Sequence, residues 1–228
     1  MKNYEYVLFD LDGTLSDPKK GITKSVQFAL RRMGITEENL DDLESFIGPP
    51  LQQSFSEFYS FDETQIETAI THYRERFKDI GMYENTLYEH IPSLLQELKE
   101  NGHTLVIATS KPTVFAEEIL NYFNIHHHFD LIVGSNLDGT RTSKTEIIQH
   151  ILHYYSDQPK ELFIMIGDRK HDMIGARNTD IDSIGVTYGY GSIEELTAAK
   201  PTTIVKTVSE LREVLLKNTL YSNPKLNK

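Results

Sequence analysis

Apolar residues recur along the chain in two rhythms. Runs at positions 6–9, 104–108, 131–133, 162–166 and 184–186, with a weaker one at 203–205, are short and almost continuously apolar. Runs of that kind predict strands covered on both faces, as in a parallel sheet. Between them, Ile91, Leu94, Leu95 and Leu98 recur at i, i+3, i+4 and i+7, and Ile147, Ile148, Ile151 and Tyr155 follow the same rhythm with small deviations. Those stretches predict amphipathic helices. Ser143 with Glu146, and Thr207 with Glu210, match the capping box, in which two orphan backbone donors are satisfied reciprocally at a helix start. Strands alternating with helices predict an α/β fold on a doubly wound parallel sheet.

Residues 17–87 break the alternation. Ile22, Val26, Ala29 and Met33 form one helical face and Ile66, Ala69, Ile70, Tyr73 and Phe77 another, with no convincing buried strand between them. This stretch predicts an inserted all-helical unit, with Gly48-Pro49-Pro50 stopping one helix before the next begins near Leu51. The core is then expected over 1–16 and 88–216, and residues 217–228, which lose periodicity, as a frayed tail.

Of the 228 residues, 34 are acidic and 23 basic, a formal charge of −11, which disfavours non-specific binding to nucleic acid or an anionic membrane. An anionic substrate would need local positive charge or a metal. With no Cys, thiol catalysis, Cys-ligated zinc and disulfide scaffolds drop out together. No run is long and apolar enough for a membrane span, and MKNYEYVLFD lacks a signal-peptide pattern, so a cytoplasmic protein is expected.

The chemistry concentrates where strands end. Asp10 and Asp12 stand two apart in DLDGTLSD after the first run, so a period of two turns both toward the carboxyl edge of the sheet, where open α/β sheets bind ligands. Two carboxylates so close need a cation between them or a shared proton. Taken alone, an Asp-rich turn with Gly is also ordinary loop chemistry. Gly167, Asp168 and Asp172 in GDRKHD follow another run and could complete an oxygen-rich site for a hard cation; alone, Asp168 reads equally as an N-cap for the helix beginning near Lys170. Thr109, before Ser110-Lys111-Pro112, places a hydroxyl and backbone donors at the same edge, suited to phosphate oxygens. Lys144 opens the capping-box helix, where the macrodipole disfavours a cation. Anion binding explains that placement; a solvated surface lysine is the alternative.

In this order, D-x-D-G-T, a strand-end Thr, a Lys and G-D-x-x-x-D resemble the haloacid dehalogenase superfamily of aspartate-nucleophile phosphotransferases. The resemblance covers the chain from Tyr4 to about Leu216, and the helical insertion, ATSKP, LDGTR and VTYGYGS are similar to its phosphoglycolate phosphatase-like branch. It implies a Rossmann-like core with an inserted helical cap, and a Mg²⁺-dependent phosphatase acting on a small phosphomonoester, with phosphoglycolate as the default. By the same resemblance Asp10 is the nucleophile and forms an aspartyl-phosphate, and Asp12 is general acid and then base. Mg²⁺ is held by Asp10, the Asp12 backbone carbonyl and Asp168, with Asp172 supporting. Thr109, Lys144 and the backbone amides around Leu11 and Ser110 hold the phosphate, and Arg141 is the nearest rival to Lys144, which lies in TSKTE instead of the more usual Lys-Pro context.

Specificity is expected in the cap, which would close over the site and exclude water. Candidate substrate contacts are Lys19, Lys20, Gly48, Pro49, Arg74 and, from the core, Lys111; the lysines and Arg74 also read as solvated helix charges, and Gly48-Pro49 as plain punctuation. His126-His127-His128 is disfavoured as a metal site, because consecutive residues do not converge from one regular element. Phe55, Phe58, Tyr59 and Phe61 read as cap core, although a base stacked there would make the substrate a nucleotide. A nucleoside 5′-monophosphate phosphatase and a phosphosugar mutase are the alternatives within the enzyme class, and a receiver-type phospho-accepting module is the alternative outside it. The expected partner is a small phosphorylated metabolite, and the expected assembly a monomer or weak dimer.

Overall fold

The computed structural model describes residues 3–216, so the expected tail at 217–228 lies outside the described residues. In chain order the elements are β1 (Tyr6–Phe9), β2 (Ser16–Asp17), α1 (Lys19–Arg32), α2 (Leu51–Tyr59), α3 (Glu63–Phe77), β3 (Thr86–Leu87), α4 (Ile91–Glu100), β4 (Thr104–Pro112), α5 (Thr113–Tyr122), β5 (Leu131–Ser135), α6 (Lys144–Tyr154), β6 (Phe163–Gly167), α7 (Lys170–Asn178), β7 (Asp182–Val186), α8 (Ile193–Ala199), β8 (Thr203–Val205) and α9 (Val208–Leu216).

Six strands form one sheet in the order β5-β4-β1-β6-β7-β8, every neighbouring pair parallel. The period of two sorts its side chains onto two faces. Val7, Phe9, Leu105, Ile107, Ile164 and Ile166 enter one apolar cluster together with α4, α5 and α9. Leu8, Val106, Ala108, Phe163 and Met165 enter a second, with Ile147, Ile148 and Ile151 of α6 and Ala176 of α7. Both faces are covered, which is why these runs lack polar alternation.

The strand order places the site. From β1 the chain moves outward through β4 to β5, then crosses back to β6 on the other side of β1. The direction of winding reverses at β1, so the connections after β1, β4 and β6 diverge and leave a crevice at their carboxyl ends.

The stretch between β2 and β3 is helical: α1, a 3₁₀ segment at Leu40–Phe46, α2 and α3. Its buried residues, among them Ile22, Val26, Leu43, Phe46, Phe55 and Tyr73, belong to the cluster that also contains Val7 and Phe9. Phe55 packs against Phe46 and Phe61, with Phe58 and Tyr59 also against Phe46. Phe46, Phe55 and Phe61 form the core of the insert with Tyr59 half-buried against them, whereas Phe58, expected in that core, is 44% exposed because it covers only the outer side of Phe46.

Three local features differ from expectation. The antiparallel ribbon of β2 and β3, pairing Ser16 with Leu87 and Asp17 with Thr86, is too short to leave a periodic signature. β4 continues past Ala108 to Pro112, pairing with Ser135 through a register shift, so Thr109, Ser110 and Lys111 lie in a bulge that re-aims side chains instead of just beyond a strand end. The Ser143–Glu146 capping box forms in full. At α9 only half of the expected box forms: Thr207 accepts from the Glu210 N–H, but the Glu210 carboxylate accepts from Lys206 N.

Candidate active site

Asp10 follows β1 directly, and its N–H donates to Ile166 O of β6 at 2.9 Å, so the first motif and the strand leading into GDRKHD are joined at the switch point. Gly13, at φ +79°, lies against Asp168: a Cβ there would come within 2.1 Å of Asp168 Oδ2. The glycine of D-x-D-G is therefore required both by left-handed backbone and by the approach of a buried carboxylate. Asp10, Asp168 and Asp172 each place an oxygen within 4.8 Å of the others.

Lys144 enters this cluster from the first turn of α6. Its Nζ lies 2.7 Å from Asp10 Oδ1, 2.7 Å from Asp172 Oδ1 and 2.7 Å from the Ala108 carbonyl. Three acceptors match the three donors of an ammonium. The cation at a helix N-terminus thus finds its compensation in two buried carboxylates. Burial alone would push Lys144 down, but Asp10 and Asp172 outweigh it and hold its pKa above the ordinary value.

Asp12 is buried too but turns elsewhere. Its Oδ2 pairs with Lys111 Nζ at 2.9 Å, and that ammonium lies 4.4 Å from the centre of the Phe77 ring. Burial raises Asp12 more than Lys111 draws it back, and Asp10 adds to the rise, so the carboxyl is poised toward its protonated form. A raised carboxyl beside a reacting ester is suited to general acid work. Asp168 is pushed well above the usual carboxylate range by burial first and then by Asp172 and Asp10. Its Oδ2 accepts from Tyr190 N at 2.7 Å, while Oδ1 is buried without a partner. Asp172 is raised by burial against the pull of Lys144, and its Oδ2 accepts from Arg169 N at 3.1 Å. Of the helix-cap alternative for GDRKHD, Asp172 keeps its part by accepting from the N-cap amide of Arg169, whereas Asp168 is not the N-cap and lies in the acidic cluster against Gly13.

Four carboxylates against two ammonium groups leave the pocket acidic, and the unpartnered Asp168 oxygen has lost water without gaining a donor. An oxygen-only donor set, its carboxyls raised by burial and mutual repulsion, fits a hard divalent cation that would relieve both.

A cavity opens beside Asp10 and Asp12, walled by Thr109, Ser110 and Lys111 of the bulge and by Gly48, Pro49 and Arg74 of the insert. Thr109 is buried and its Oγ1 accepts from Lys111 N at 3.3 Å. The Leu11 N–H donates to Asp10 Oδ1 at 2.8 Å. Lys19 and Lys20 stand outside the cavity. Lys19 is held by Asp41 and Glu44, and Lys20 is exposed, both along a separate groove near the ribbon. Arg141 does not rival Lys144: its guanidinium bonds to Gly134 O and Asn136 Oδ1 and stabilises its own loop. The His126–His128 segment is a 3₁₀ turn, and the only group of potential metal ligands among the described residues is the Asp cluster.

Sequence reading missed most of the cavity wall. Phe46, Ile70, Tyr73 and Phe77 of the insert, and Phe115, Ser135 and Asn136 of the core, line it. The helical spacing of Ile70, Tyr73 and Phe77 signalled only burial, and Phe46, Phe115, Ser135 and Asn136 carried no signal. The Tyr190 amide was missed as well, because a backbone donor leaves no residue-type signature.

The profile of the haloacid dehalogenase-like hydrolases matches residues 7–186. The chain is 53% identical over 212 residues to a 5′-nucleotidase of Pseudomonas aeruginosa, across 93% of this chain and 96% of that protein. It is 29% identical to a phosphoglycolate phosphatase of Colwellia psychrerythraea, across 92% and 96%. The crystal structure of a predicted phosphatase from Clostridium acetobutylicum superposes with a TM-score of 0.92 at 49% identity, covering 94% of this chain and 99% of that one. With two Asp-bearing strand ends, a buried lysine and a shared acidic cluster on the matching fold, the chain belongs to the haloacid dehalogenase-like hydrolase family, among its phosphatases.

Proposed function

We propose that the protein hydrolyses nucleoside 5′-monophosphates, with Asp10 as nucleophile and residues 17–87 as the cap over the substrate. The observation that carries the reading is the composition of the cavity: acidic chemistry at its floor, and Phe46, Tyr73, Phe77 and Phe115 among its walls. Aromatic walls suit a planar base. Phosphoglycolate would present a second anion instead, and the cations lining the cavity, Lys111 and Arg74, are already engaged by Asp12 and by the Leu137 carbonyl. The 53% identity to a 5′-nucleotidase, against 29% to a phosphoglycolate phosphatase, supports the same choice.

In this reading Asp10 attacks phosphorus, the P–O bond to the nucleoside breaks, and Asp12 delivers its proton to the leaving 5′-oxygen. Asp12 then takes a proton from the water that cleaves the aspartyl-phosphate, and inorganic phosphate leaves. Lys144 orients the Asp10 carboxylate and offsets charge on the phosphoryl oxygens, while Thr109 and the Ser110 amide hold those oxygens. Asp10, the Asp12 carbonyl and Asp168 would hold Mg²⁺, which supplies charge against the repulsion between the nucleophile and the phosphate. Asp172 supports from behind through Lys144 and the Arg169 amide. The test is phosphate release from nucleoside 5′-monophosphates, phosphoglycolate and sugar phosphates, with and without Mg²⁺, using Asp10→Asn as control. Preference for phosphoglycolate would overturn the nucleotide reading, and turnover by the control would overturn the nucleophile.

A further inference from the structure

Arg169 lies between Asp168 and Asp172, yet its side chain reaches away from them. One arm donates to the carbonyl of Ile47, 122 residues distant in sequence and inside the helical insert. The Arg169 Nε donates to Glu195 Oε1 of α8 at 2.9 Å and the other arm to Oε2 at 3.4 Å, and Oε1 also accepts from Lys170 N at 2.8 Å. The ion pair is mostly buried, with 14% and 21% of the two side chains exposed, so it differs from the exposed pairs that contribute little. Gly48, at φ +105°, rests on the arginine stem: a Cβ there would come 2.9 Å from Arg169 Cγ. The next residues, Pro49 and Pro50, wall the cavity with Gly48.

We infer that Arg169 is a positioning residue that sets the substrate-facing wall of the insert from the turn carrying Asp168 and Asp172. Only a planar guanidinium, with donors in a fixed fork, reaches Glu195 and the Ile47 carbonyl together. Glu195 anchors the arginine to the core, the Ile47 carbonyl is its grip on the insert, and a bare glycine lets the backbone approach. The bond to Ile47 exists only while the insert lies over the carboxylates, so wall and acidic cluster are held in one register. This inference rests on the cavity being the substrate site; hydrogen exchange reads the register without that assumption.

The test compares Arg169→Ala, Arg169→Lys and Glu195→Gln with the wild-type chain. Loss of a hydrogen bond from a charged donor predicts exchange at residues 44–52 faster by about 10- to 100-fold in Arg169→Ala, with the amides of β1 and β6 unchanged. For adenosine 5′-monophosphate, KM rises by about tenfold or more with kcat within about threefold, the signature of lost uniform binding. For p-nitrophenyl phosphate, a poor probe of a distant wall, kcat/KM stays within the same threefold. Arg169→Lys, able to hold one partner only, falls between. Unchanged exchange at 44–52 would overturn the inference. So would an equal loss of kcat on both esters with a shifted Mg²⁺ dependence, since that would place the arginine in service of the carboxylate turn. A wild-type chain inactive on adenosine 5′-monophosphate would sink the nucleotide reading, and the exchange result would still decide the role of Arg169.

Discussion

Replacing Lys144 by Met keeps the length and apolar stem of the side chain and deletes its charge. The ammonium is buried, with three oxygens at 2.7 Å, two of them from carboxylates. Removing one partner of a buried ion pair costs about 3–5 kcal/mol, because the remaining charge is stranded. Here Asp10 and Asp172 are left facing each other, and the Ala108 carbonyl also loses its donor. Against a total stability of about 5–15 kcal/mol, that removes between about a fifth and all of the margin. The cost has a distinctive dependence on metal. Without Lys144 the cluster is more negative and holds a divalent cation more tightly, so Mg²⁺ stabilises the variant more than the wild-type chain. Turnover still falls by about 10²–10³-fold, as for loss of one preorganised group stabilising charge in the transition state. Urea unfolding with EDTA and with Mg²⁺, beside phosphate release at saturating ester, measures all three. Equal urea midpoints for the two chains in EDTA, or turnover within threefold of wild type, would refute the place given to Lys144.

Asp12→Asn keeps the backbone carbonyl and removes the proton donor, so kcat falls by about 10²–10⁴-fold for alkyl phosphates and less for p-nitrophenyl phosphate, whose leaving group needs little protonation; equal losses on both would contradict an acid role. Gly13→Ala forces a Cβ toward Asp168 Oδ2 from left-handed backbone, so Mg²⁺-dependent turnover collapses and calorimetric titration shows weakened Mg²⁺ binding, whereas a normal isotherm would contradict the proximity. His103 is buried with Nε2 unpartnered, and burial lowers its pKa below the ordinary value of about 6.5. The unfolded chain therefore binds the proton first as pH falls, and His103 costs stability from about pH 6.5 downward. His103→Leu should gain on the wild-type chain in urea midpoint between pH 7.5 and 5.5, and a constant gap would exclude that linkage.

The large elements were legible because burial leaves a mark on composition. Val7, Leu8 and Phe9 face clusters on both sides, and so nothing polar interrupts them. The acidic motifs were legible because Asp10 and Asp168 each follow such a run, and strand ends converge in a parallel sheet. Lys144 was legible as an anomaly, a cation where the helix dipole disfavours one. Lys111 was not: as part of a short polar stretch it read as a substrate contact, and its pairing with Asp12 depends on a bulge set by the neighbouring strand. Lys19 read either way, because a charge near the first motif looks the same whether it faces a ligand or, as here, Asp41 and Glu44. Arg169 carried no signal at all, since both of its partners are remote in sequence.

The two-residue ribbon has a consequence for how such a chain diversifies. The insert leaves the sheet through Ser16–Asp17 and returns through Thr86–Leu87, paired side by side. Whatever lies between those two crossings pairs with no strand of the six-stranded ladder, so its length can change without altering a rung while its buried face still has to meet the cluster it shares with Val7 and Phe9. On the proposed reading, ligand choice lies between those crossings and bond-breaking outside them, so one lineage could trade the first while the second stays as it was.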